Sequence, residues 1–317
     1  MMRSLLKGGL LTLAIVLLKQ VAAADGEFTL EETDDGVVVK LDGELFTKYL
    51  KHSGTKPILY PIIGPGGKSM TRAFPMERVR GERPDHPHHR SLWFTHGDVN
   101  GVDYWSEVGR GLGKQVHRAF EEVKHGDGKA TIAATVDWVD PEGNKVLEDH
   151  RRYTFRTDGD ARIIDFDITL TALDRPVRFG DTKEGTFGIR IPTSMDVTSR
   201  RGGEIVTSEN LRDKDAWGKP AAWVDYHGPV DDQKLGIAIM NHPSSFRFPT
   251  RWHVRDYGLF AANPFGLKDF PQVEGSGGEH TLQPGESLTL RYRVLLHAGD
   301  HEDGRVAERF TQYAESK

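Results

Sequence analysis

The strongest constraint on the fold is a strict two-residue alternation of apolar and polar side chains over long stretches. In RIIDFDITLTAL (162–173), Ile164, Phe166, Ile168 and Leu170 fall on one face. In ATIAATVDWV (130–139), Ile132, Ala134, Val136 and Trp138 oppose Thr131, Thr135 and Asp137. SLTLRYRVLLH (287–297) repeats the pattern with Leu288, Leu290, Tyr292, Val294 and Leu296. A period of two sends successive side chains to opposite faces of an extended chain, which marks half-buried antiparallel strands. HGDGK (125–129), DPEGN (140–144) and TDGDA (157–161) supply turn chemistry between successive strands, so the middle of the chain reads as a meander. LQPGES (282–287) leads into the last long strand. Helical spacing is confined to Val306, Phe310 and Tyr313, which predict one short C-terminal helix. The expected class is all-β: one large antiparallel domain over residues 25–317, a two-sheet sandwich or a barrel.

The first 24 residues read differently. Arg3 and Lys7 precede an apolar run, Gly8–Leu18, and Ala22–Ala24 offer a small-residue cleavage site before Asp25. This is the layout of a secretory signal peptide, and the run is too short for a membrane span. The expected location is therefore exported, periplasmic or secreted. The chain has no cysteine, hence no disulfide framework and no lipid-anchor thiol. Its net charge is −5 and its basic residues are scattered, which argues against a nucleic-acid partner. Nothing after the leader is long and apolar enough to span a bilayer. GPGGKS (64–69) and GRGLGK (109–114) lack the spacing of a phosphate-binding loop.

Four segments combine polar and aromatic residues densely: 85–105, 180–192, 217–228 and 240–266. Such loops over a rigid β scaffold are where function concentrates. The first, DHPHHRSLWFTHGDVNGVDYW, holds four of the chain's fourteen histidines. In extended backbone His86 and His88 face one side and His89 the other, so His86 and His88 are the candidates for a divalent metal ion. Metal-free acid–base chemistry by histidine is the competing reading, and loop hydrogen bonding is the ordinary one for any single histidine. Glu184 is open to three roles: general base, metal ligand or hydroxyl acceptor. The expected catalytic set is His88, His89, His96, Glu184 and His242, converging on one pocket, with one histidine as general acid and Glu184 as base. Arg90, Arg190 and Arg255 suit a carboxylate or an oxyanion, and Asp98, Trp105, Trp252 and Asp256 complete the expected substrate contacts.

The motifs YPIIGPGGKSMTRAFPM, DHPHHRSLWFTHGDVNGVDYW, DTKEGTFGIRIP, WGKPAAWVDY and HPSSFRFPTRWHVRDYGLFAANPFG occur in this order and resemble the DUF6807 family of exported bacterial proteins. The resemblance runs over roughly residues 45 to 300. It implies a β-sandwich similar to the galactose-mutarotase-like supersandwich, whose members mostly handle carbohydrates. Family members often carry the label "methane oxygenase PmoA", which in its original sense denotes a multi-span helical protein unlike this β-rich chain. The leading expectation is an exported carbohydrate-active enzyme acting on a saccharide or glycoside by hydrolysis, lysis or epimerisation. One alternative is a non-catalytic sugar-binding protein. Another, following the label, is an oxidoreductase with copper or iron on His86, His88 and a further histidine.

Overall fold

The structure, a computed structural model, describes residues 26–271 and 277–316. The signal-peptide expectation for residues 1–24 lies outside the described residues. Two eight-stranded antiparallel sheets dominate. The first runs, edge to edge, through Phe28–Thr33, Gly36–Leu41, Glu44–Ser53, Lys56–Ile62, Leu92–His96, Gly185–Arg190, Leu259–Asn263 and Arg251–Val254. The second runs through Glu204–Thr207, Trp223–Val230, Gln233–Asn241, Ser287–Ala298, Ala161–Ala172, Lys145–Asp158, Lys129–Val139 and Lys114–Gly126. Val177–Phe179 and His280–Leu282 form a small ribbon. No helix among the described residues is long and apolar enough to cross a membrane.

The meander read from the turn clusters is the second sheet's longest part, each strand pairing with the next. Its alternating residues point inward: Ile164, Phe166, Ile168 and Leu170 are fully buried. They meet the first sheet through aromatic contacts. Phe187 stacks on Tyr292 at 5.0 Å and on Phe166 at 4.8 Å, and Phe94 lies 5.9 Å from Phe166. Two antiparallel sheets sharing one apolar core make a sandwich, and among the described residues no closed barrel forms.

Both sheets are also covered on part of their outer faces, which period-two alternation alone does not foretell. On the second sheet, Ala161, Ile163, Trp223, Ala238, Met240 and Leu295 lie beneath the helix Val306–Ala314, which contributes Val306, Phe310 and Tyr313. On the first sheet, Ile58, Tyr60, Trp93, Leu259 and Ala261 pack with Ala73 and Trp105 from the long connections on either side of Leu92–His96. Those connections carry the histidine-rich segment.

Candidate functional site

His86 adopts a left-handed backbone (φ 44°), and His89 N–H donates to His86 O at 3.0 Å. The segment is therefore a turn, and the alternation expected of extended backbone fails: His86 stacks on His89 (4.8 Å, 5° between planes) while His88 stands edge-on to both. His89 continues the stack inward onto Trp93, and Trp105 closes it from the side. Leu92 and Trp93 anchor the segment on opposite faces of the sheet, Leu92 in the sandwich core and Trp93 in the outer cluster.

Ion pairs hold this turn down. Asp85 Oδ1 accepts from Arg190 Nη2 at 2.7 Å and from Arg72 Nη1. Arg72 also donates to the carbonyls of Phe74, Arg83, His86 and His89. Arg190 Nη1 donates to His89 Nδ1 at 3.0 Å, which leaves the proton of a neutral His89 on Nε2. Burial and the neighbouring cations push His89 well below its usual pKa. Burial, followed by the Lys56 cation, lowers His88 to about 4. Both imidazoles are neutral at pH 7, so neither carries the proton of the expected histidine general acid.

Tyr257 extends the ladder towards solvent. Its ring stacks on His86 at 5.1 Å, with the Arg190 guanidinium 5.0 Å and the Arg255 guanidinium 5.6 Å from its centroid. Burial raises the Tyr257 phenol above its usual range; Arg190 and Arg255 pull against this, and Glu184 and Asp85 add to it. Arg255 also lies 4.9 Å from the Trp217 ring, whose Nε1–H donates to His253 Nδ1 at 2.9 Å. Arg255 is half-buried, and among the described residues its guanidinium makes no hydrogen bond and no ion pair. Glu184 pairs with its neighbour Lys183 at 3.2 Å, both side chains partly exposed. His86, Tyr257, Arg255, Trp217 and Glu184 thus form a partly exposed strip of rings and charges on the first sheet's outer side.

Several expected residues stand elsewhere, so the five-residue convergence divides. His96 alternates with Trp93 and faces the inner side, against Phe179 and Phe265, with Nε2 bonded to Gly180 O at 2.9 Å. His242 belongs to the second sheet's end, bonded to Ser244 Oγ and Ser316 O and set edge-on to Tyr313. Arg90 is committed to Glu107, which also holds the buried Lys56 at 2.6 Å. Asp98 accepts from Gly101 N and Arg178. Trp105 is 1% exposed and offers no free face to a sugar. Trp252 is wholly buried with its Nε1–H on Ala221 O, and the Asp256 carbonyl receives the Tyr226 hydroxyl. Around His86 and His88, the neighbouring donors are already engaged: Asp85 Oδ1 by Arg72 and Arg190, and His89 Nδ1 by Arg190. Among the described residues, the cluster that could share an ion is Asp225, His227 and His301, on the other sheet. A cavity of about 500 Å³ beside Thr71, Glu82, Pro192 and Arg201 contains none of the histidines.

Tyr257 and Trp217 are the site's aromatic platform, yet the sequence shows them only as two rings among many. Asp225 and His227 carry a readable signal, an acid and an imidazole two apart on one strand face, as do His297 and His301, four apart.

Among solved structures, the chain is similar to a polysaccharide lyase (14% identity, 90% of this chain and 34% of that one, TM-score 0.35). It is also similar to a galactose-mutarotase-related enzyme from Lactobacillus acidophilus (13%, 86% and 97%, TM-score 0.35). A third likeness is to a family 36 α-galactosidase from Geobacillus stearothermophilus (12%, 88% and 40%, TM-score 0.38). The chain spans about a third of the lyase's length. These likenesses are too distant in geometry to bear on activity. No curated protein sequence matches the chain. Over residues 36–311 it matches the model described as a family of unknown function, DUF6807, and the chain belongs to that family.

Proposed function

We propose that the chain is an exported carbohydrate-active enzyme that binds an acidic saccharide along the His86–Tyr257–Arg255–Trp217 strip and cleaves it by elimination. The observation that carries this reading is Arg255: a guanidinium held between two aromatic faces with its donors unspent. Rings beside a free fork suit a sugar bearing a carboxylate, the rings taking the C–H faces and the fork the anion.

Neutralising a uronate carboxylate acidifies the carbon-bound hydrogen next to it. Arg255, backed by the buried Arg190, supplies that charge. His88, neutral at pH 7, is the candidate acceptor for the proton. Tyr257, whose raised pKa keeps its phenol protonated, is the candidate donor to the departing glycosidic oxygen. In that event the C–H bond breaks, the electron pair forms the ring double bond, and the C–O bond to the leaving sugar breaks. His89 touches no substrate in this scheme and positions Arg190.

The test is turnover on a panel of uronate-containing and neutral glycans, followed as new unsaturated ends. Arg255→Ala is expected to lower kcat/KM on the acidic glycan about 10–100-fold, the worth of one charge-assisted contact. Tyr257→Phe should lower kcat with little change in KM. Turnover confined to neutral glycans, or unaltered in both variants, overturns the reading. Binding without turnover would make the chain a sugar-binding protein.

A further inference from the structure

The second sheet carries an independent constellation on its outer face. Asp225 and His227, two residues apart on Trp223–Val230, project to the same side. His301, in the turn before the C-terminal helix, comes down over them, its ring stacked on His227 at 6.0 Å. Asp225, His227 and His301 each offer one donor atom, and the three atoms lie within 4.8 Å of one another.

Three further facts show that the arrangement is built. Asp225 is completely buried, with Oδ1 2.6 Å from His227 Nδ1 and Oδ2 2.7 Å from His297 Nε2. The His297 ring is itself admitted by two glycines: a Cβ on Gly236 or Gly304 would stand 2.2 or 2.3 Å from it. His301 Nδ1 is buried and has no hydrogen-bond partner, which costs about 1–3 kcal/mol unless something occupies that position.

We propose that Asp225, His227 and His301 form a binding site for a zinc-class divalent transition-metal ion. Two imidazoles and a carboxylate are the donor set such ions take, whereas calcium and magnesium prefer oxygen alone. Donor atoms about a tetrahedral zinc stand about 3.3 Å apart, so the 2.6 Å Asp225–His227 contact must open by under 1 Å. His297, on the other carboxylate oxygen, orients Asp225 as an outer-shell partner does. Glu204 Oε2, 3.3 Å from His227 Nε2, lies at the margin and is shared with Arg212. Three protein donors leave a fourth position free. A cavity of about 430 Å³, lined by His301, Trp223, Ser208 and Arg305, offers a path to it. The ion would tie the strand Trp223–Val230, next to the sheet's edge, to the 299–305 turn and so to the helix that covers this face.

The experiment titrates zinc sulfate into the intact chain after chelator treatment, read by calorimetry, with Co(II) substitution as a spectroscopic check. One equivalent is expected to bind, with the visible bands of a four- or five-coordinate Co(II) site and a higher thermal midpoint. His301→Ala, in a half-buried turn, should fold and bind at least about 100-fold more weakly. His227→Ala should do the same, whereas His86→Ala, on the opposite sheet, should bind as the parent does. No stoichiometric zinc in the parent chain, or affinity unchanged in His301→Ala, overturns the proposal.

Discussion

Asp85 is the residue on which the strip depends. Burial works to raise its carboxyl, but Arg190, His86 and Arg72 outweigh that and hold it below the usual carboxylate range. The two guanidiniums it joins are 0% and 1% exposed. Removing the acid would strand two buried cations, a loss of about 3 kcal/mol, at the lower end because Asp85 itself is a third exposed. Asp85→Ala is accordingly expected to lower the urea midpoint at unchanged m-value and to weaken saccharide binding as the 85–89 turn loosens. A midpoint within error of the parent would show that the turn holds without this pair. Asp85 meets Arg72 and Arg190 from 13 and 105 residues away in sequence, and no local pattern announces partners so distant.

At the scale of elements, the strip rests on a cross-strand pair between Leu92–His96 and Gly185–Arg190, where Gly188 sits opposite Trp93. A Cβ on Gly188 would meet the Trp93 ring at 2.7 Å. The glycine is there for close approach: it lets the indole lie flat across the neighbouring strand and present its face to His89. Gly188→Ala should displace Trp93 at a cost of about 1–3 kcal/mol, alter the near-ultraviolet dichroism of the tryptophans, and disturb the His89–His86–Tyr257 ladder above. An unchanged aromatic spectrum would show that the indole has room to yield. The strands and turns in this region follow from alternation and glycine–aspartate clusters. The left-handed turn at His86 does not, and it decides which histidines share a face.

Across the whole molecule, buried neutral histidines set the response to acid. Burial lowers His96 and His88 from 6.5 to about 4 and His253 to about 3. Between those values and 6.5 the unfolded chain binds protons that the folded chain refuses, so stability falls as pH falls from about 6.5 to about 4 and then levels off for His96 and His88. Asp165, raised by burial to about 6, and His150 and His297, raised by carboxylate partners that outweigh burial, act in the opposite sense but are fewer than the lowered histidines. Urea melts at pH 7, 5.5 and 4.5 should show this decline, and His96→Gln should flatten it by about 3 kcal/mol. A profile equally steep in the variant would remove His96 as a cause. The sequence by itself determined the class of the fold, because alternation, turn residues and the short helical stripe at Val306–Tyr313 are local signals and local sterics decide them. Only the tertiary structure decided which of the histidine-rich and aromatic loops meet. His96 and His242 left the expected site because strand parity and sheet membership send them elsewhere. Tyr257, Arg255 and Trp217 joined His86 because loops 40 to 170 residues apart cross one sheet face. Asp225, His227 and His301 came together because a turn folds back over a strand about 75 residues earlier. Such meetings depend on sheet order and loop paths, which a one-dimensional pattern does not contain.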